Sequence, residues 1–421
     1  MYPDCVNVSS AGASIDLAKL LAAVEQAPPV AAAEVVGEIL ADAIGASEVG
    51  FLIADYSGQA LVRLSHVKRA GPDLPDGERR EQVPIAGTPA GEALTSQQVV
   101  TVSRAGSCLM YAPVTSRGEA IGVLELTLRQ EAPTESVRAS VAVVAHALAY
   151  VVIANRRFTD LFEWGQRSLP PSLEGEIQHR LLPGSYTCEG GQFTLAGWLE
   201  PAGDMGGDTF DFSLERDTLH VSMTDAMGHT LEAALLATVL IAALRNARRR
   251  GMSLGQQAQF AQAALAGYAT DGAFVTGQLA RVDLGSGLAQ LINAGHPAPF
   301  LVRGGIPTRV ALDAEPPFGL ADQEPHHVQQ LQLEPNDRLV FLTDGLLERQ
   351  AASIDLASLF LGTLRLHPRE AAQQVVQAVA EACRGELADD ATILILDWYG
   401  GPSTRDSNAG ADIWKWSVPR S

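Results

Sequence analysis

Residues 201–212 read PAGDMGGDTFDF, a stretch in which Gly206 and Gly207 directly precede Asp208 and Asp211 follows shortly after. Aspartate is depleted in β-strands, yet here it begins the strand-like run that follows the glycines. Glycine allows backbone and solvent to approach closely because it has no Cβ. The pattern therefore predicts an open, acidic site at the start of a strand.

Three more stretches place aspartates at predicted strand ends. They are TDAMGH with Asp225, TDG with Asp344, and DDATILIL with Asp389 and Asp390. A single aspartate at such a position usually caps a helix or begins a turn, and Asp225 and Asp344 are each open to that interpretation. The repetition of the pattern within one domain favours a shared function.

The donor chemistry of this set favours a hard divalent cation. The stretches supply carboxylate oxygens without a cysteine or histidine cluster, and Mg²⁺ and Mn²⁺ prefer oxygen ligands. Two such ions about 3.5–4 Å apart can activate a shared water and clamp a phosphoryl group. Gly206 and Gly207 would then leave room for a metal centre beside Asp208.

These residues resemble the type 2C metal-dependent protein serine phosphatases, the PPM superfamily, and within it the branch of the stage II sporulation protein E and Rsb phosphatases. The motifs of that branch occur here in order as GGDTFD, DAMGHT, NAGH, TDG and DDAT. One short motif is weak evidence, whereas five in order are specific. The resemblance covers residues 172–398 and includes the segment EIQHRLLP. The sequence departs from the pattern at Thr209, Phe210 and Thr230, which are not ligand positions.

The resemblance implies a fold, a reaction and a site. The fold would be α+β, a PPM-type β-sandwich flanked by helices in α-β-β-α order. Two divalent cations, Mn²⁺ or Mg²⁺, would be held by Asp208, Asp225, Asp344, Asp389 and the backbone carbonyl of Ala226. The reaction would be hydrolysis of phosphoserine or phosphothreonine by a metal-activated water, with no catalytic side chain. The implied partner is a phosphorylated STAS-type anti-sigma-factor antagonist.

Further residues of the motifs are second-tier candidates. We expect Asp390 to orient Asp389 or to cap its turn. Asn293 and His296 of the NAGH motif are expected to fix a loop near the site rather than to touch metal. Asp211 completes the GGDTFD motif and is a candidate by position alone.

Hydrophobic periodicity divides the rest of the chain. Helical spacing, then two strand hairpins and a long helix, predict a compact α+β domain at residues 14–156. Its element order resembles that of a GAF domain, a small-molecule sensing module. Residues 157–184 are predicted to be a helical linker, residues 185–399 the phosphatase domain, and residues 400–421 a disordered tail. Apolar stripes on the helices of residues 135–182 suggest a homodimer.

Composition narrows the class of protein. The chain has 421 residues and a formal net charge of −19, which favours two domains and argues against nucleic-acid binding. Four scattered cysteines indicate a reducing compartment, and we expect a cytoplasmic protein. The N-terminus lacks the pattern of a signal peptide. The apolar run of residues 141–158, which His146 interrupts, is shorter than the roughly 20 residues of a membrane span and predicts a buried helix, with a membrane span as the minor alternative.

Two other functions are compatible with parts of the sequence. GGDTF resembles the GGDEF signature of diguanylate cyclases, but Thr209 stands where the cyclase has glutamate. That interpretation also leaves the TDG and DDAT motifs without a role. The second alternative is a non-catalytic scaffold that keeps the fold and binds a partner.

Overall fold

The structure is a computed structural model that divides into two compact units, Met1–Leu169 and Pro170–Ser421. The residues that it describes are 15–68, 81–129, 132–167, 172–202, 206–228, 231–268, 272–320, 324–347, 354–383, 387, 389–401 and 410–411. Thr230 and most of the predicted disordered tail lie outside these ranges.

The N-terminal unit contains a six-stranded antiparallel sheet and helices on both of its faces. The helices are α1 Leu17–Gln26, α2 Ala32–Ile44, α3 Pro89–Ser96, α4 Glu135–Asn155 and α5 Leu161–Gln166. The strands are β1 Glu48–Ala54, β2 Ala60–Lys68, β3 Gln82–Pro84, β4 Val100–Arg104, β5 Ser107–Ser116 and β6 Glu119–Leu128. Their order in the sheet is β3-β2-β1-β6-β5-β4.

Successive side chains of a strand point to opposite faces of the sheet, which explains how this sheet can have two apolar faces. Phe51 and Ile53 of β1 pack with α1, α2 and α4, while Leu52 between them packs with α3 on the other face. Asp16 caps α1 through hydrogen bonds from the backbone of Ala18 and Lys19. The predicted α+β architecture is therefore confirmed, whereas the GAF assignment stays a prediction.

Helix α4 contains most of the apolar run that was expected to form a helix, but its 21 residues are long enough for a membrane span, so the prediction from length is wrong. Among the described residues it is the one helix whose length and composition would suit a membrane span, and 39% of its apolar window is buried within the unit. Core helices of other proteins meet the same criterion. Val144, Leu148 and Val152 lie in the core, whereas Val143 and Tyr150 are exposed.

Helix α5 packs onto the N-terminal unit. Phe162 is fully buried in its core, and a Cβ at Gly165 would press against Leu64 and Ile53. The Tyr56 hydroxyl lies 3.2 Å from Oε1 of Gln166 and 3.3 Å from Oε2 of Glu163. The first part of the predicted linker thus belongs to this unit.

The C-terminal unit contains five helices and eleven strands in its described residues. The helices are α6 Leu173–Leu181, α7 Leu231–Arg249, α8 Leu254–Ala266, α9 Leu356–Gly362 and α10 Pro368–Ala382. The strands are β7 Thr187–Glu189, β8 Phe193–Glu200, β9 Asp208–Leu214, β10 Thr218–Ala226, β11 Val275–Asp283, β12 Leu288–Ala294, β13 Phe300–Arg303, β14 Ile306–Arg309, β15 Gln329–Gln332, β16 Asp337–Leu342 and β17 Ala391–Trp398.

These strands form two antiparallel sheets that face each other. One sheet has the order β15-β12-β11-β10-β9, and the other β14-β13-β16-β17-β8-β7. Phe210, Met223, Phe341 and Leu394 lie in the apolar core between them. Helices α7 and α8 cover the outer face of the first sheet, and α9 and α10 cover that of the second. The predicted α-β-β-α sandwich is confirmed.

Candidate metal centre

Asp208 and Asp225 are direct partners on neighbouring strands. β9 begins at Asp208, β10 ends just after Asp225, and the antiparallel register pairs the two residues. Side chains directly opposite each other have Cβ atoms about 4.5–5.5 Å apart. The GGDTFD and TDAMGH stretches therefore deliver their carboxylates to the same end of the sandwich.

The second sheet brings its two acidic stretches to that end. Leu342 at the end of β16 pairs with Ile393 near the start of β17, so Asp344 and Asp389 follow and precede adjacent strands. Thr343 N donates to the carbonyl oxygen of Thr392 at 3.0 Å, which extends the pairing. The TDG and DDAT motifs are therefore neighbours.

Two glycines are required by close contacts at the site. A Cβ at position 207 would lie 2.7 Å from the carbonyl oxygen of Ala226. A Cβ at Gly345 would overlap the carbonyl group of Asp390. The glycines thus keep the Ala226 carbonyl accessible and let the TDG turn meet the DDAT turn, which accounts for the glycine directly before Asp208.

Two threonines hold Asp208: Thr392 on β17 and Thr343, which directly follows β16. The hydroxyl of Thr343 donates to Oδ2 of Asp208 at 2.8 Å, and that of Thr392 donates to the same oxygen at 2.5 Å. All three residues are buried. The sequence offered no reason to single out these threonines, although both belong to the TDG and DDAT motifs.

Asp390 is held by a helix at the start of the unit. Gln178 of α6 donates through Nε2 to Oδ2 of Asp390 at 2.6 Å and to the backbone oxygen of Asp208 at 2.9 Å. The backbone N–H of Ala202 donates to Oδ1 of Asp390 at 2.8 Å. The carboxylate of Asp390 is therefore engaged by protein donors, while Oδ1 of Asp389 accepts the Asp390 N–H at 2.8 Å.

The carboxylates raise one another's pKa values. Burial and then the charges of Asp344, Asp389 and Asp390 raise the pKa of Asp225 to about 7. Burial, with Asp225 and Asp390 nearby, raises the pKa of Asp208 well above its usual range. The pKa of Asp344 is raised by desolvation and by Asp389. A cation at this end of the sandwich would relieve that repulsion.

The donor set fits divalent cations such as Mn²⁺ or Mg²⁺. It consists of carboxylates and a backbone carbonyl, which are the oxygen ligands that these ions prefer. Within the described ranges, no three acidic, histidine or cysteine side chains already converge closely enough to hold an ion. The carboxylates are thus adjacent but not drawn together onto a single point.

Asn293 and His296 shape the loop next to this centre. Asn293 Oδ1 accepts the backbone N–H of His296 at 2.9 Å. The Nδ1 atom of His296 lies 2.9 Å from the hydroxyl of Thr276, the cross-strand partner of Asp225. Burial lowers the pKa of His296 to about 4, so its imidazole is neutral at neutral pH.

Asp211 is the candidate that the structure does not bring to the cluster. Its carboxylate accepts hydrogen bonds from Arg245 at 2.9 Å and from Arg248 at 3.1 Å, both on α7. Asp208 and Asp211 are separated by an odd number of positions on a strand, so their side chains face opposite sides of the sheet. Asp211 fastens α7 to β9.

Part of the C-terminal unit matches a known protein family. Residues 215–399 match the family model described as stage II sporulation protein E (SpoIIE). The predicted resemblance to the SpoIIE family is therefore confirmed for this segment.

Several solved structures are similar to the chain. The RsbU and RsbW domains of a Mycobacterium tuberculosis protein share 24% identity, with 52% of this chain and 62% of that chain covered and a TM-score of 0.45. The PP2C domain with a regulatory fragment of Bacillus subtilis SpoIIE shares 19% identity, with 50% and 64% covered and a TM-score of 0.42. The SiaA PP2C domain of Pseudomonas aeruginosa shares 20% identity, with 53% and 93% covered and a TM-score of 0.45.

The chain thus spans less than two thirds of the length of the first two of these structures. Their TM-scores are low, so the similarity to the SpoIIE family rests on the family model and the motifs.

Proposed function

We propose that this protein is a metal-dependent phosphatase that hydrolyses phosphoserine or phosphothreonine on a regulatory protein. One observation carries the proposal: the aspartates of four motifs, far apart in sequence, lie at one end of the sandwich. The register of Asp208 with Asp225 and the adjacency of the TDG and DDAT turns support it. So does the match of residues 215–399 to the SpoIIE family.

The proposed ligands are Asp208, Asp225, Asp344, Asp389 and the carbonyl oxygen of Ala226. When bound, two divalent cations supply a water of lowered pKa for in-line attack on phosphorus and neutralise developing negative charge. The aspartates act as ligands rather than as general bases, and no covalent intermediate forms on the protein. Asp390, held by Gln178 and by Ala202 N, positions the turn that carries Asp389.

The substrate that we propose is a phosphorylated STAS-type anti-sigma-factor antagonist in the cytoplasm. The support comes from the order of the motifs, which is that of the SpoIIE and Rsb phosphatases, and from the family match. Dephosphorylation of such a protein would alter the availability of a sigma factor. After a phosphoserine peptide, the next substrate to assay is therefore a protein of this type that is phosphorylated on serine.

Control by the N-terminal unit is also proposed. Helix α5 is fixed to that unit through Phe162 and Tyr56, whereas α6 contacts the candidate centre through Gln178. Only residues 168–171 separate the ends of these anchored segments in the sequence. The effect of a small molecule bound by the GAF-like unit would thus have to pass along only a short stretch of chain to reach the site.

A homodimer through the helices of residues 135–182 is a further part of the proposal. Val143, Tyr150 and Ile153 are exposed apolar residues of α4 at helical spacing. We expect light scattering to report a dimer and Tyr150→Glu to shift it towards monomer. A monomeric wild type would contradict this part.

The test is hydrolysis of p-nitrophenyl phosphate by the full chain with Mn²⁺, with Mg²⁺ and with EDTA. We expect turnover that requires the cation and that Asp344→Asn abolishes, because the variant loses a ligand charge. Turnover that persists in EDTA would contradict the metal mechanism. A folded wild type that is silent towards this ester and towards phosphoserine peptides would favour the scaffold function instead.

A further inference from the structure

One oxygen of Asp208 is saturated by donors from the opposite sheet. Oδ2 accepts the hydroxyl of Thr343 at 2.8 Å and the hydroxyl of Thr392 at 2.5 Å. A carboxylate oxygen has two lone pairs, so two hydroxyl donors occupy both. Asp208 is 3% exposed and both threonines are 0% exposed, so water does not compete for these bonds.

The direction of the hydrogen bond from Thr343 is fixed by the surrounding backbone. Thr343 Oγ1 accepts the N–H of Thr392 at 3.0 Å, which leaves its single proton to be donated. The nearest acceptor for that proton is Oδ2 of Asp208, since the Asp390 carbonyl oxygen lies at 3.4 Å. Oδ1 of Asp208 receives no hydrogen bond from the part of the chain that the structure describes.

We propose that Thr343 and Thr392 are positioning residues that make Asp208 a one-oxygen ligand. Their hydroxyls tie Oδ2 to the second sheet and leave Oδ1 for a cation or for a water on that cation. The inference rests on the proposed function for the presence of the cations. It assigns a role to the threonines of the TDG and DDAT motifs, which are not ligands themselves.

A plain structural role would predict a different outcome. Buried threonine hydroxyls commonly pair only to satisfy their hydrogen bonds. The chain offers a matched case, since Thr209 and Thr224 are also fully buried on β9 and β10 and their hydroxyls lie 2.6 Å apart. They occupy the sheet face opposite to the Asp208 carboxylate. Loss of the Thr209 hydroxyl therefore disturbs a buried pair on the same strands without touching the proposed ligand.

The experiment measures Mn²⁺ binding by the metal-free full chain without substrate, from the paramagnetic resonance signal of free Mn²⁺ and by calorimetry. Outer-shell partners of metal ligands typically contribute 10- to 100-fold to affinity, so Thr392→Val should weaken binding by about tenfold or more. Thr392→Ser keeps the hydroxyl and should bind like the wild type. Thr209→Val should lower the melting temperature in EDTA and leave Mn²⁺ affinity unchanged.

The outcomes separate this inference from the proposed function. If the wild type binds Mn²⁺ and hydrolyses phosphate esters while Thr392→Val binds Mn²⁺ equally well, the positioning role is wrong and the phosphatase function stands. Equal weakening by Thr209→Val would also overturn it, because the effect would then be general. A wild type that binds no Mn²⁺ would overturn both. Should Thr392→Val fail to fold, Thr343→Val and Thr343→Ser provide the same comparison.

Discussion

Asp208 and Asp211 lie on the same strand and face opposite sides of it. Asp208 meets the hydroxyls of Thr343 and Thr392 between the two sheets, whereas Asp211 meets two arginines of α7 on the outer face. The two-residue period of a strand requires this division. One β-strand thus supplies a candidate ligand and also anchors the helix that covers it.

Replacement of Asp211 should affect stability and not metal binding. Asp211→Ala leaves the guanidinium groups of Arg245 and Arg248 without their carboxylate, which should lower the free energy of unfolding by about 2 kcal/mol. Urea denaturation in EDTA measures this change. Loss of Mn²⁺ binding in folded Asp211→Ala would show instead that this residue belongs to the metal centre.

Gly345 should tolerate no side chain. Because a Cβ there would overlap the carbonyl group of Asp390, Gly345→Ala should push the TDG turn away from the DDAT turn. A displacement of this kind can reduce turnover about 100-fold, measured as kcat/KM at saturating Mn²⁺. Gly362→Ala is the control, since its Cβ would meet no atom within 4 Å. Equal activity of the two variants would contradict the close contact.

Gln178 should couple α6 to the centre. Gln178→Ala removes the donor to Asp390 and to the backbone of Asp208, so Mn²⁺ affinity and turnover should fall by about tenfold. Arg180→Ala on the same helix is the control, because Arg180 is exposed and forms an ion pair with Glu176 one turn earlier on α6. An equal effect of both variants would mean that α6 acts only through its general stability.

The metal-free protein should lose stability as pH rises. The pKa of Asp225 is about 7 in the folded protein against 3.8 for a free carboxyl, so between about pH 4 and about pH 7 the folded state binds more protons than the unfolded state. The stabilisation is complete below this window and is lost as pH rises through it.

Urea denaturation in EDTA across this pH range tests whether the free energy of unfolding falls as pH rises. Asp225→Asn should show a shallower decline than the wild type. Burial lowers the pKa of His296 to about 4, which gives a pH dependence of stability of the opposite sign. This contribution is present in both proteins and cancels when their profiles are compared. Identical pH profiles for both proteins would contradict a raised pKa at Asp225.

Much of the candidate site could be predicted because its proposed ligands belong to local motifs. Asp208, Asp225, Asp344 and Asp389 each stand at a strand end that hydrophobic alternation already indicates. The two-residue period of the strand also predicts that Asp211 faces away from Asp208. The motif alone groups the two residues together. A motif gives the order of its residues, whereas the two-residue period of a strand determines the face of the sheet to which each side chain points.

The contacts that hold the ligands could not be predicted from the sequence. Gln178 and Asp390, and likewise Thr392 and Asp208, meet only because the two sheets and α6 pack together. The short strands β14 and β15 also have too weak a pattern to be predicted. The sequence QQLQ of β15 has too little apolar alternation to indicate a strand, and its pairing with β12 defines it.

The most direct test of the central claim is Mn²⁺-dependent hydrolysis of a phosphoserine peptide by the wild type, Asp225→Asn and Asp211→Asn, assayed below their melting temperatures. We expect turnover by the wild type, loss of turnover in Asp225→Asn, and turnover retained in Asp211→Asn. The proposed function would be contradicted if Asp225→Asn stayed as active as the wild type, or if the wild type hydrolysed the peptide equally well in EDTA.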